Sequence, residues 1–138
     1  LGFMNIYFKN ADEVKPDCVA VAFDLRSPTF RHKAVASYKA NRKGMPEELA
    51  QQMPLIKEIL TAMGIKIVEC EGFEADDVLG TLSKMCADSG NECHILTGDK
   101  DSLQLVNDKL QYVLPQLKKQ LFTLRKSFVR ITALNRSI

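Results

Sequence analysis

The chain has 138 residues, which suits one domain with one hydrophobic core. Its 46% hydrophobic and 26% charged residues are ordinary for a soluble globular protein. No apolar run approaches the ~20 residues of a membrane-spanning helix, so we expect no membrane partner. The cysteines lack a C-x-x-C pair, which argues against disulfides or a zinc site and favours buried thiols in a reducing cytosol. They are Cys18, Cys70, Cys86 and Cys93.

The net charge is only +2, but the basic residues are unevenly distributed. Residues 115–138 contain six basic residues and no acidic one. A second acid-free stretch covers residues 25–46. Two basic segments in a chain that is mildly acidic elsewhere favour a polyanionic partner.

Apolar runs predict four strands, separated by helical patterns. The strands are predicted over 18–23, 66–70, 93–97 and 110–114. One helix is predicted to begin after Pro46 and to end at Gly64, with a kink or a break at Pro54. Its apolar stripe comprises Leu55, Ile56, Ile59, Leu60 and Met63. A second helix, ending near Gly90, has the stripe Val78, Leu79, Leu82, Met85 and Cys86. Alternating strands and helices predict an α/β fold with a mostly parallel sheet.

Acidic residues follow three of the predicted strands, at the point where each strand ends. In such sheets ligands bind at the carboxyl ends of the strands, so we expect these carboxylates to meet at one edge. The first strand is followed by Asp24, the second by EADD (74–77) and the third by GDKD (98–101). The acids are Asp24, Glu74, Asp76, Asp77, Asp99 and Asp101.

Each acidic block also has a purely structural explanation, because acids are favoured at helix starts and in turns. Two observations favour function instead. The arrangement recurs after three strands, and Glu74 falls on the buried stripe of its helix, where a carboxylate needs a partner. Mg²⁺ prefers oxygen ligands, and two such ions about 3.5–4 Å apart can activate water and stabilise the leaving oxygen of a phosphodiester. More acids converge than one Mg²⁺ needs, which favours a two-metal site.

The acid-free stretch after the first strand supplies cations and aromatic rings. On a helix over residues 30–43, one face would carry Arg31, Val35, Tyr38, Lys39 and Arg42. Basic groups at that spacing can follow phosphates, while Phe30 or Tyr38 can stack on a base. The alternative is a solvated basic helix whose aromatic side chains pack into a core.

Several motifs in fixed order now identify a family. The segments FDLRSPTFRH, SYKANR, MPEEL, PLIKEIL, EGFEADDVLGTL and LTGDKDSLQLV closely resemble the 5′-3′ exonuclease domain of bacterial DNA polymerase I, within the flap endonuclease family of PIN-like nucleases. The match runs from about residue 18 to residue 114. It implies a three-layer α/β/α fold and hydrolysis of DNA at 5′ flaps, nicks and 5′ ends, with removal of RNA primers. It also implies dependence on Mg²⁺ or Mn²⁺.

The resemblance assigns roles residue by residue. The residues similar to the metal-site acids, which are also the catalytic acids, are Asp24, Glu74, Asp76, Asp77, Asp99 and Asp101. The residues in the segment that resembles the helical arch, which threads or clamps the 5′ single strand, are Phe30, Arg31, Tyr38, Lys39 and Arg42. Among these, Lys39 is expected to contact the scissile phosphate and is included in the catalytic set.

Two parts of the family pattern are missing. Family members begin with a strand that ends in an Asp, whereas Asp12 and Asp17 lie in polar surroundings and are poor substitutes. The downstream helix-hairpin-helix region is also absent. We therefore expect a partial exonuclease domain over residues 1–114 and a basic segment of unclear origin over residues 115–138, where an amphipathic helix is possible. Without the first strand, its neighbours are expected to be exposed.

Three hypotheses follow from the sequence. The first is a 5′-3′ exonuclease and flap endonuclease of DNA replication and repair, in the bacterial cytoplasm with the nucleoid, followed by a polymerase domain in the full-length protein. The second is a catalytically impaired nucleic-acid-binding fragment of that domain. The third is an unrelated Mg²⁺-dependent phosphatase, which would have no use for the basic stretch.

Overall fold

The computed structural model describes residues 2–35, 37–40, 44–97, 110–113 and 128–134, and for the last two ranges it gives the backbone. Four helices and five strands lie in these ranges. In chain order they are α1 (Gly2–Val14), β1 (Cys18–Phe23), α2 (Phe30–Ala34), α3 (Glu47–Ala62), β2 (Lys66–Val68), α4 (Ala75–Asp88), β3 (Glu92–Leu96), β4 (Leu110–Val113) and β5 (Phe128–Leu134).

The strands form one sheet in the order β2-β1-β5-β3-β4, and every neighbouring pair is parallel. Side chains of β1 alternate between the two faces. Val21 and Phe23 pack with α1 and α3 on one face, whereas Ala22 packs with α4 on the other. The sheet therefore lies between two helical layers, and the predicted three-layer α/β/α fold is confirmed.

The sequence predicts that the strands beside a missing first strand are exposed. At the centre of the sheet this prediction is wrong. Strand β5, which lies within the basic segment 115–138, is inserted between β1 and β3 and pairs with both. Its residues satisfy the backbone groups that β1 and β3 would otherwise leave unpaired. The amphipathic helix considered for this segment falls on residues outside the described ranges.

Helix α1 was not predicted from the sequence. It packs Tyr7 into the core beside Val21, Phe23 and Leu60. The signal that could have revealed it is helical spacing within GFMNIYFKNADEV, where Phe3, Met4, Tyr7 and Ala11 share one face.

The two predicted helical stripes are only partly buried. In α3, Leu60 is buried, and Met53 and Ile56 are partly buried against the same core cluster. The other three stripe residues, Leu55, Ile59 and Met63, are exposed. Two adjacent faces of the helix both carry apolar residues at helical spacing, and tertiary packing determines which face contacts the core. Pro54 lies within α3 without dividing it.

Helix α4 shows the same selection. Val78, Leu79 and Cys86 are buried against the sheet, as predicted, but Met85 is 60% exposed. Ser83 takes a buried position instead, with its hydroxyl donating to the carbonyl oxygen of Gly80 at 2.9 Å. No helix in the described part of the chain is long and apolar enough to cross a lipid bilayer.

The cysteines are all free thiols, in agreement with the sequence, but only two are buried. Cys86 and Cys93 lie in the core, whereas Cys18 and Cys70 are exposed, so the expectation of buried thiols is wrong for those two. Burial raises the pKa of Cys93 to about 12, with a further contribution from Cys86.

A thiol-labelling experiment checks this arrangement. With a disulfide reagent at neutral pH, we expect Cys18 and Cys70 to react in the native protein, because both are accessible. Cys86 and Cys93 should react only after denaturant is added. The amount of chromophore released before and after unfolding gives the number of thiols that react in each state. Reaction of all four thiols in one fast phase would contradict the structure.

Candidate active site

The strand order indicates at which edge of the sheet a ligand-binding site is expected. From β1 the chain passes to β2 on one side, and β3 is followed by β4 on the other side. The connections therefore diverge between β1 and β3, at the kind of position where open parallel sheets bind ligands beyond the carboxyl ends of their strands. Helix α4 lies over β1, β3 and β5, so its N-terminus faces the same region.

Four carboxylates gather around the start of α4. Asp24, just after β1, accepts a hydrogen bond from the backbone N–H of Ala75 at 2.7 Å. Glu74 is the N-cap residue, and its own N–H donates to Asp77 at 3.0 Å. Asp76 and Asp77 lie in the first helical turn. The free N–H groups and the dipole of a helix start stabilise negative charge, so this position suits the acids.

Cations from the basic stretch lie directly on two of these carboxylates. Arg31 donates from both terminal nitrogens to Asp77, at 2.7 Å each. The Nζ of Lys39 donates to Glu74 at 2.7 Å, and the Tyr38 hydroxyl donates to the same carboxylate at 3.3 Å. We call these residues the edge cluster: Asp24, Arg31, Tyr38, Lys39, Glu74, Asp76 and Asp77.

The predicted helix over residues 30–43 is wrong in the part that the structure describes. Helix α2 ends at Ala34, Val35 is extended, and Lys39 has a φ of 57°. A left-handed residue bends the chain sharply. Tyr38 and Lys39 contact Glu74 instead of lining a helix face, so a long-range ion pair replaces local helical spacing.

Glu74 is largely buried, as its position in the sequence predicted, with a side chain 12% exposed. Its partner was missed, because Lys39 lies 35 residues away and not at a helical neighbour position. Phe30 lies beside Arg31 and is exposed. Three residues of the predicted site, Arg42, Asp99 and Asp101, lie outside the described ranges.

Electrostatics reinforce the pairs. The hydrogen bond from Arg31 lowers the pKa of Asp77 most strongly, against an opposing effect of burial. The pKa of Arg31 is raised in turn, chiefly by the same bond. Burial alone would lower the pKa of Lys39, but the hydrogen bond and charge of Glu74 outweigh it and raise that pKa. All three groups are therefore charged at neutral pH.

The Arg31–Asp77 pair predicts a pH dependence of stability. The pKa of Asp77 is below its ordinary value of 3.8, so the pair stabilises the folded state above that pH. This contribution is lost as the pH falls through the lower pKa of the folded state. Replacing Asp77 with Asn should cost about 1 kcal/mol at pH 7, since the pair is partly exposed. Urea unfolding of both proteins from pH 7 to pH 2 measures the difference, which should shrink only below pH 3.8. A difference that is constant across this range would contradict the assignment.

The chemistry of the edge cluster suits a divalent cation in part. Its donors are carboxylate oxygens, which Mg²⁺ and Mn²⁺ prefer. The cluster itself contains more carboxylates than cations. Within the residues that the structure describes, however, no three acidic, histidine or cysteine side chains are arranged to hold a metal ion. Arg31 and Lys39 occupy the carboxylates that such an ion would need.

Fold and site together define a parallel α/β domain with a group of acidic side chains, contacted by basic and aromatic side chains, at the carboxyl edge of its sheet. Comparison with known families is then decisive. The model of the 5′-3′ exonuclease, N-terminal resolvase-like domain matches residues 1–131, and the chain belongs to this nuclease family. The PIN-like α/β fold class predicted from the sequence is thereby confirmed.

Curated relatives support the same assignment. The chain is 48% identical over 106 residues to a DNA polymerase I of Caldicellulosiruptor bescii, which covers 77% of the chain. It is 44% identical over 108 residues to DNA polymerase I of Bacillus subtilis, covering 78% of the chain, and 44% identical over 100 residues to the thermostable enzyme of Thermus aquaticus, covering 72%. In each case the matched part is 12% of the relative's length.

Proposed function

We propose that the chain is part of a 5′-3′ exonuclease that hydrolyses phosphodiester bonds at 5′ flaps, nicks and 5′ ends of DNA, and in RNA primers. The observation that carries the proposal is the edge cluster. Carboxylates suited to divalent cations and side chains suited to phosphates meet at the ligand-binding edge of the sheet. Family membership supports the direction of attack and the class of substrate.

The acids of the cluster are the proposed metal ligands, namely Asp24, Glu74, Asp76 and Asp77, together with Asp99 and Asp101. Two bound Mg²⁺ or Mn²⁺ ions would activate water and stabilise the leaving oxygen. Asp24 also holds the start of α4 through Ala75, which fixes the direction in which the acids of that helix project.

The proposed phosphate contacts come from the basic stretch. Lys39 is assigned to the scissile phosphate, and Arg31 and Arg42 to neighbouring phosphates, with Phe30 and Tyr38 available for stacking. Arg31 and Lys39 bind Glu74 and Asp77 in this structure. A phosphate that takes over these cations would release the two carboxylates, so substrate binding and exposure of the acids are coupled.

A second function is favoured by the same ion pairs. If Arg31 and Lys39 never leave the carboxylates, the chain binds nucleic acid through its other basic groups and does not cleave it. The third hypothesis, an unrelated phosphatase, is inconsistent with the family to which the chain belongs. The biological setting that we propose is replication and repair in the bacterial cytoplasm, at the nucleoid, with a polymerase domain in the full-length protein. The proposed boundary at residue 114 marks the end of the family motifs and does not divide the sheet, because β5 pairs with β1 and β3.

Cleavage of a 5′-labelled flap duplex tests the proposal. With Mg²⁺ or Mn²⁺ we expect short labelled products, which disappear in EDTA and in an Asp24→Asn variant. Binding of the duplex in EDTA is measured in parallel by fluorescence anisotropy. Binding without cleavage at any metal concentration would favour the second function, and neither binding nor cleavage would reject both.

A further inference from the structure

Two exposed phenylalanines form a pair at the rim of the edge cluster. Phe30 is 45% exposed and Phe73 is 48% exposed, and their ring centroids lie 5.5 Å apart with planes tilted by 54°. Phe23, by contrast, is almost fully buried in the core. Leaving two rings open to water forgoes the free energy of burying them, which is substantial for aromatic side chains.

The backbone holds the two rings in place. The N–H of Phe30 donates to the carbonyl oxygen of Gly72 at 2.8 Å, which ties the start of α2 to the loop before α4. Gly72 has a φ of 82°, a conformation that favours glycine. At the start of α2, Nδ1 of His32 accepts a hydrogen bond from the backbone N–H of Thr29 at 3.2 Å and bonds to its hydroxyl at 2.7 Å, which caps the helix. The pair is thus built from two segments that are hydrogen-bonded to each other.

Each ring adjoins a charged member of the cluster. Phe30 directly precedes Arg31, and Phe73 directly precedes Glu74. The guanidinium carbon of Arg31 lies 4.5 Å from the centroid of the Phe30 ring, while its nitrogens bond to Asp77. An apolar aromatic surface is therefore fixed next to a group that can bind phosphate.

We propose that Phe30 and Phe73 form a stacking platform for the nucleobase next to the phosphate held by the cluster. The inference rests on the proposed function and adds Phe73 as a binding residue. A nucleotide carries a planar ring beside an anionic phosphate, and the platform offers aromatic faces beside Arg31. Stacking on aromatic side chains tolerates any base, which suits an enzyme that acts on ends of varied sequence.

Oligonucleotide binding in EDTA tests the platform without cleavage. The probe is a dye-labelled single-stranded DNA, used intact and with an abasic site at each of its first four 5′ nucleotides in turn. We expect Phe73→Leu to weaken binding of the intact probe roughly tenfold, as loss of one stacked base would. The control is Phe8→Leu, because Phe8 is also 48% exposed but lies on α1, and it should leave affinity unchanged.

The abasic probes separate stacking from a general loss of structure. When the abasic site is at the stacked position, the wild-type protein should bind that probe as weakly as Phe73→Leu binds the intact probe. The affinity of Phe73→Leu should be the same for both probes. Circular dichroism confirms that each variant is folded. If Phe73→Leu binds the intact probe as wild type does, or weakens every probe equally, the platform is wrong, and a protein segment is then the better candidate to cover the rings. Absence of binding by wild type would overturn the platform, and the proposed function would fall with it only if the flap duplex is also not cleaved with Mg²⁺ or Mn²⁺.

Discussion

Replacing Lys39 with Met is expected to reduce cleavage of a 5′-flap duplex by roughly 100-fold or more. Lys39 is held on Glu74 at 2.7 Å, within the edge cluster, and its raised pKa keeps it charged at neutral pH. Methionine keeps an unbranched side chain that is one atom shorter, and it removes the charge. Single-turnover rates at saturating enzyme measure the chemical step apart from binding.

The matched control is Lys84→Met. Lys84 lies on the exposed face of α4 and pairs with Asp88 at 2.7 Å, outside the cluster. We expect its rate to equal that of wild type. An equal loss in both variants would show that the effect follows net charge and not the position of Lys39. An unchanged rate in Lys39→Met would remove Lys39 from the catalytic set.

Replacing Leu79 with Ala is expected to lower the free energy of unfolding by about 3 kcal/mol. Leu79 is fully buried between α4 and the sheet, in the cluster that contains Ala22 and Ile95. Its truncation leaves a cavity under the helix that carries Glu74, Asp76 and Asp77. Such a loss is a large part of the stability of an ordinary domain.

Met85→Ala, on the same helix, provides the comparison. Met85 belongs to the same stripe in the sequence but is 60% exposed, so its truncation should change stability by no more than about 0.5 kcal/mol. Urea unfolding monitored by circular dichroism measures both variants. Similar losses for the two would mean that α4 turns a different face to the sheet.

The strands were the most predictable part of the fold. The continuous apolar run 18–23 is β1 with the same bounds, because a strand buried on both faces needs such a run. The second strand ends at Val68, two residues earlier than predicted. The central position of β5 was not predictable, since the order of strands depends on long-range pairing that no local pattern encodes.

The proximity of Asp24 to the acids at the start of α4 followed from the sequence, whereas the contacts of these side chains did not. Position at strand ends was enough to bring Asp24 to the start of α4. The pairing of Arg31 with Asp77 joins residues 46 positions apart, and no helical spacing reveals it. The prediction of a long helix after Phe30 was wrong for the same reason, because tertiary ion pairs overrode local propensity.

Binding of Mn²⁺, followed by electron paramagnetic resonance, tests most directly whether the edge carboxylates are metal ligands. The variants are Glu74→Gln and, as control, Glu69→Gln, because Glu69 lies beyond β2 and pairs with Lys57 instead. We predict that Glu74→Gln weakens Mn²⁺ binding by roughly tenfold or more, while Glu69→Gln binds as wild type does. Equal affinity in all three proteins would contradict the assignment of Glu74 and of the site built around it.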